Sequence, residues 1–141
     1  MRILVLCTGN SARSQMAEGF LRAFDPRLEV CSAGTDPAPQ VNPHAVDVMR
    51  EAGIDISGNK PKSVEQFLDQ AFDAVITVCA EADRNCPVFH GHVGCRIHMG
   101  FTDPARATGT DREISAEFRR VRDLIKAMLS DYYEKELRNH L

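Results

Sequence analysis

Five residues separate Cys7 from Arg13 in the stretch LVLCTGNSARSQMAEG, and those five, Thr8, Gly9, Asn10, Ser11 and Ala12, are all small or turn-forming. A loop of this kind, between an apolar run and a helical run, can turn successive backbone N–H groups inward as an anion-binding nest with a helix N-terminus behind it. The Arg13 guanidinium adds a planar fork suited to a tetrahedral oxyanion. The same positive field favours a thiolate at Cys7, and the Ser14 hydroxyl is placed to donate to that sulfur. An isolated Cys and Arg at this spacing more often mean a buried thiol and a helix opener. The position between a strand and a helix, with Gly9, Asn10 and Ser11 supplying turn chemistry, favours a nucleophile in an oxyanion site. Neither G-x-G-x-x-G nor G-x4-G-K-[ST] occurs, so the loop is not an ordinary dinucleotide or nucleotide fingerprint.

A second cluster, VCAEADRNCPVF, sets Cys79 and Cys86 either side of six residues, directly after another apolar run. The residues between them are polar and read as a mobile turn or a frayed helical piece. A straight helix would hold the two thiols about 10 Å apart, beyond disulfide reach, so exchange between them requires the segment to move. Zinc is a competing reading, because Cys79, Cys86, His90, His92, Cys95 and His98 form a ligand-rich run. Structural zinc sites carry a tight C-x2-4-C pair, which is missing here, and no metal is expected. Cys31 and Cys95 lie in strand-like segments and read as core thiols, and the histidines as surface or supporting groups. In GFTDPAR, Pro104 keeps Asp103 extended, and a carboxyl facing an anion-loaded cysteine can protonate a leaving oxygen. Taken alone, an Asp-Pro turn is the plainer reading.

These residues need a scaffold, and the chain spells one. RILVLC (2–7), LEVCSAG (28–34), FDAVITVC (72–79) and GCRIHMG (94–100) read as strands. Between them fall helical patterns: Met16, Ala17, Phe20, Leu21 and Phe24 recur at helical spacing from Ser14 on. Asn42 and Pro43 make an N-cap and first turn for a helix running to Gly53, with Val41 and Val46 placed as a staple. SVEQ (63–66) and TDRE (110–113) have capping-box spacing. The second opens a long helix with Ile114, Phe118, Val121, Ile125, Met128 and Tyr132 on one face. TDPAPQVNP is a Pro-rich surface loop. Alternating strands and helices predict an α/β domain: a four-stranded parallel sheet flanked by helices, in which ligands bind beyond the carboxyl ends of the strands. Cys7 and Cys79 both stand at such ends.

The chain has 141 residues, 43% hydrophobic and 26% charged, with a net charge of −3, which suits one domain spanning residues 1–141. No basic stripe calls for nucleic acid and no run of eighteen apolar residues calls for a membrane. MRILVLC is too short and too weakly charged for a secretion signal, so a cytoplasmic location is expected, where five cysteines do not form a disulfide framework. A monomer is expected.

CTGNSARSQMAEG, SAG (32–34), VNP (41–43), IDIS (54–57), VCAEADRNCP (78–87), DPA (103–105) and FRRVRDLI (118–125) together resemble the thioredoxin-coupled arsenate reductases. That family shares the fold of the low-molecular-weight protein tyrosine phosphatases. The match is in order over nearly the whole chain, and the late cysteine pair is its most specific part. The resemblance implies that Cys7 attacks arsenate held by the amides of residues 8–14 and by Arg13, while Asp103 protonates the departing oxygen. It implies next that Cys79 attacks the Cys7 sulfur and Cys86 attacks Cys79, leaving a Cys79–Cys86 disulfide for reduced thioredoxin. No bound cofactor is implied. Some members hold potassium near the loop; Asn10, Glu18 and Ser32 match, but Lys62 stands where an acidic residue is expected, and its ammonium is expected to replace the cation. Ala12 stands where many relatives carry another cysteine. The alternative is a phosphomonoesterase of the phosphatase type, and a weak phosphatase side activity fits either reading. SDYY (130–133) is not the phosphatases' tyrosine pair, which adjoins the catalytic DP; here Phe101 and Thr102 precede it.

Overall fold

A computed structural model describes residues 1–141. Four strands, β1 (Arg2–Cys7), β2 (Glu29–Gly34), β3 (Phe72–Thr77) and β4 (Val93–His98), form one wholly parallel sheet in the order β2-β1-β3-β4. The four helices are α1 (Arg13–Phe24), α2 (Pro43–Glu51), α3 (Ala80–Arg84) and α4 (Asp111–Tyr132). Because β1 leads outward to β2 on one side while β3 and β4 lie on the other, the strand order reverses between β1 and β3. A crevice opens at that point beyond the strands' carboxyl ends. No helix is long and apolar enough to cross a membrane.

Local chemistry explains the element ends. Asn42 Oδ1 accepts from the His44 N–H at 2.9 Å, and Pro43 occupies the first turn of α2. That helix stops at Glu51, two residues before the expected limit, because Gly53 takes φ +81° and closes a Schellman motif. The Gly53 N–H bonds the Arg50 carbonyl, and the Ile54 N–H bonds the Met49 carbonyl. Thr110 and Glu113 form the complete capping box of α4. SVEQ does not: Ser63 caps the Glu65 N–H, and Val64–Phe67 is a single 3-10 turn.

The core face of α4 is made by Phe118, Val121, Ile125 and Leu129, all fully buried, while Met128 is 44% exposed. From Ile125 on the buried stripe runs through Leu129 and Tyr133 and not through the expected Met128 and Tyr132; both spacings fit one helix face, so the elements packed against α4 decide which is covered. Beyond α4, Tyr133 is buried and donates its hydroxyl to Asp25 Oδ2 at 2.7 Å, tying the C-terminal turn to the end of α1. The Arg27 guanidinium and this hydroxyl hold the Asp25 carboxyl well below the usual carboxylate range. SDYY thus belongs to packing.

Strands β3 and β4 end at Thr77 and His98, short of the expected 79 and 100, since the chain there turns into α3 and toward Phe101. The expectation of core thiols holds in part for Cys31, half-buried on the edge strand β2 and packed against the core, and fails for Cys95, exposed on the opposite edge strand β4. Burial pushes the Tyr132 phenol well up, and the neighbouring Cys95 adds to the shift.

Candidate active site

Residues 8–12 leave β1 and curl beneath the N-terminus of α1. The Cys7 carbonyl accepts from the Thr35 N–H at 3.2 Å, that of Thr8 from Asp36 at 2.9 Å, and those of Gly9 and Ser11 from Ala38 and Asn42 at 2.8 Å each. The Asn10 carbonyl accepts from Gln15 Nε2 at 3.1 Å, and the Ala12 carbonyl from the Met16 N–H at 2.9 Å. A trans peptide points its N–H opposite to its C=O. With every carbonyl from Cys7 to Ala12 engaged on the outside, the amides of residues 8–13 face the bowl, an anion nest. The Pro-rich segment 35–42 is therefore the brace that turns the loop inside out, a role the sequence did not disclose. Gly34 is needed beside it, because a Cβ there would collide with the Thr8 carbonyl oxygen.

Asn10 is the hinge of the loop. It is fully buried and has φ +51°, a left-handed conformation that asparagine tolerates better than most residues. Its Nδ2 donates to Ser14 Oγ at 2.7 Å and to Ser32 Oγ at 2.9 Å, and its Oδ1 accepts from the Lys62 N–H at 2.9 Å. The Asn10 N–H lies 3.2 Å from Cys7 Sγ, and Ser14 Oγ lies 2.9 Å from the same sulfur. Because Asn10 donates to Ser14, the serine hydrogen is left to point at Cys7, and a thiolate there receives two donors.

The bowl encloses about 590 Å³. Cys7, Arg13, Cys79, Phe101 and Asp103 all line it. Arg13 Nη1 donates to the Phe101 carbonyl at 3.1 Å, and its Nη2 lies 3.6 Å from Asp103 Oδ2. Asp103 Oδ1 caps the turn that follows by accepting from the Ala105 N–H at 3.0 Å. The carboxyl and the guanidinium thus close the rim opposite Cys7. Cys79 is buried, and its Sγ lies 3.4 Å from Thr8 Oγ1. It also caps α3, accepting from the Ala82 N–H at 3.4 Å.

Cys86 is not in the bowl. The expected frayed piece is the short helix α3, and Cys86 lies beyond it in a separate cavity of about 270 Å³ with Thr77, Asp83, Arg96 and His98. Its Sγ meets Arg96 Nη1 at 3.5 Å. No group of three or more His, Cys, Asp or Glu side chains is disposed to hold a metal ion. Around Asn10 the residues do not fit a potassium ion either. Asn10 Oδ1 is taken by the Lys62 N–H and Gln15 Nε2, and the Lys60 carbonyl by Gln15 Nε2 and Lys62 Nζ, the latter at 3.3 Å. Glu18 pairs with Arg22 at 3.6 Å. Lys62 meets Asn10 through its backbone, while its ammonium turns to Lys60.

Residues 2–141 match the family described as low molecular weight phosphotyrosine protein phosphatase. Over 133 residues, 94% of either chain, the sequence is 47% identical to an arsenate reductase of Halalkalibacterium halodurans. Among solved structures, an arsenate reductase in the oxidized state superposes with a TM-score of 0.76 at 28% identity, covering 95% of this chain and 97% of that one. A low molecular weight protein tyrosine phosphatase from T. tengcongensis gives 0.77 at 25% identity, covering 96% and 99%. The chain belongs to the low molecular weight phosphotyrosine protein phosphatase family, in the branch formed by the arsenate reductases.

Proposed function

We propose that this protein reduces arsenate to arsenite through a relay of Cys7, Cys79 and Cys86 that is recharged by thioredoxin. The observation that carries the reading is the second thiol in the bowl: Cys79 opens onto the same cavity as Cys7, beside Thr8. A hydrolase acting through Cys7 has no use for it.

Arsenate is held by the amides of residues 8–13 and by Arg13, whose ion pair with Asp103 the anion displaces. The Cys7 thiolate attacks arsenic, and an arsenic oxygen departs as water with the proton of Asp103. Cys79, as a thiolate, then attacks Cys7 Sγ. The S–As bond breaks with its electron pair passing to arsenic, which leaves as arsenite, and a Cys7–Cys79 disulfide remains. Once bonded to Cys7, the Cys79 sulfur is drawn toward the loop and away from the Ala82 N–H it caps. Apart from that cap, the five-residue helix is held by one buried side chain, Ala82, and by the contacts of the exposed Asp83 with Thr77 and His98, which suits it to loosen. Its loosening brings Cys86 to Cys79; the new Cys79–Cys86 bond forms as Cys7 leaves as a thiolate. Two electrons from a thioredoxin dithiol reduce that disulfide, a step suited to the reducing cytoplasm. The donors already held by the oxygens near Asn10 support a cycle without bound potassium.

The test is arsenate-dependent NADPH oxidation with thioredoxin and its reductase, run beside glutaredoxin and glutathione. In Cys86→Ser, one arsenite should be released per enzyme and turnover should stop. Multiple turnovers with thioredoxin would overturn the relay. The complete loop, with Arg13 and Asp103, favours phosphomonoester hydrolysis as the second reading. Aryl phosphate hydrolysis that is strong in the parent and survives Cys79→Ser would establish it.

A further inference from the structure

The relay assigns Cys86 the last internal attack, yet α3 separates that thiol from the bowl and its catalytic cation, Arg13. A nucleophilic thiolate outside the bowl needs its own electropositive neighbour. The charged and titratable groups in its cavity are Asp83 from α3 and Arg96 and His98 from β4; Thr77 enters from β3. Thr77 Oγ1 lies 3.1 Å from Asp83 Oδ1 and 2.9 Å from His98 Nδ1, and His98 Nδ1 lies 4.0 Å from Asp83. These three groups are engaged with one another. Arg96 is the cation that touches the sulfur, Nη1 to Sγ at 3.5 Å. It does not hang free there: its guanidinium carbon stands 5.5 Å over the ring of Phe89, a buried side chain that meets Phe72 edge to face at 6.3 Å. Arg96 lies on β4, exposed at the sheet edge, and the ring steadies its guanidinium beside the sulfur.

We propose that Arg96 is a positioning residue for the second thiol exchange, holding the Cys86 sulfur beside a fixed positive charge that favours its attack on Cys79 when α3 loosens. The inference rests on the three-cysteine reading. The step it assists is a balanced exchange: the Cys86 thiolate forms a bond to Cys79 Sγ, and the Cys7–Cys79 bond breaks with its electron pair left on Cys7. Since Cys86 moves toward Cys79, the contact with Arg96 acts before the attack, in the reduced resting enzyme.

The experiment follows wild type, Arg96→Ala and Arg96→Lys through a single turnover with arsenate and no thioredoxin. Acid quenching and mass spectrometry count arsenite, the Cys7–Cys79 disulfide and the Cys79–Cys86 disulfide. Arg96→Ala should release the first arsenite at the parent rate but convert the first disulfide to the second about tenfold more slowly at pH 7. The gap should close toward about pH 9.5, where free thiols ionise unaided. Arg96→Lys, which keeps the charge, should recover part of the rate. An unchanged second exchange, or one slowed equally at every pH, overturns the proposal. In parallel, peptide mapping of iodoacetamide alkylation in the arsenate-free reduced proteins should show Cys86 reacting more slowly in Arg96→Ala at pH 7. Equal alkylation would likewise overturn it. Absence of arsenite from the wild type would instead refute the reductase reading, and the alkylation arm would still decide the role of Arg96.

Discussion

Removing the side chain of Asn10 tests how the anion loop is held. In Asn10→Ala, the hydrogen bonds to Ser14, Ser32 and the Lys62 N–H are lost from a fully buried position, while Gln15 Nε2 gives up a long contact with Asn10 Oδ1 at 3.3 Å but keeps its bond to the residue 10 carbonyl. At about 1 kcal/mol net for each bond the loss is about 3 kcal/mol. Alanine at φ +51° adds about 1 kcal/mol, because its Cβ crowds the carbonyl in the left-handed region. The expected total is about 4 kcal/mol, a large share of a domain's stability. Asn10→Gly loses the same bonds but keeps the backbone, so it should lie above Asn10→Ala by up to about 1 kcal/mol. Urea unfolding followed by far-UV circular dichroism measures both, which suits a chain without tryptophan. A loss below about 1 kcal/mol in Asn10→Ala, or a glycine variant less stable than the alanine one, would refute the reasoning. In the folded variants Ser14 no longer has its donor from Asn10, and Cys7 should alkylate more slowly at neutral pH.

Leu129→Ala should cost about 2–5 kcal/mol in urea while Met128→Ala stays within about 0.5 kcal/mol, and equal losses would mean that α4 packs on the other register. Hydrogen bonds from Arg119 and then Arg122 lower the Glu51 carboxyl to about 2. A carboxyl lowered on folding stabilises above its unfolded value near 4.3 and loses that contribution as pH falls. The thermal midpoints of wild type and Glu51→Gln should therefore differ at pH 6 and converge between about pH 4.5 and 2; a gap unchanged at pH 2 would count against the ion pair. Arsenate turnover at constant ionic strength should be the same in potassium and sodium salts. A clear activation by potassium would show that the oxygens around Asn10 rearrange to take the ion.

Much of the scaffold was legible because its signals are local. Four apolar runs, the Asn42-Pro43 start and the Thr110-Glu113 box each depend on neighbours within a few residues, and each formed the element expected. Failures came where the deciding neighbour is remote or the period is not an integer. Cys31 and Cys95 look like core residues in a strand, but their exposure is set by which strands lie at the sheet edge. Met128 and Leu129 differ by a fraction of a helical turn. The loop 35–42 carries the composition of an ordinary surface loop, and nothing in it announces that its N–H groups point at the carbonyls of Cys7, Thr8, Gly9 and Ser11. Arg96 stands ten residues from Cys86 in a strand-like run, without a motif to connect them.

By itself the sequence determined the chemistry available: a cysteine and an arginine spaced around a turn, two later thiols and an Asp-Pro, on an alternating strand and helix pattern. It determined these because residue type and short spacing carry nucleophilicity, anion affinity and secondary structure. Only the tertiary structure decided which groups share a cavity. Strand order β2-β1-β3-β4 sets the ends of β1 and β3 side by side, so Cys7 and Cys79, more than seventy residues apart, open on one bowl. The same fold lays α3 across the path of Cys86, seven residues from Cys79, and gives it Arg96 instead. Distance in the chain does not set distance in space once a parallel sheet has chosen its neighbours.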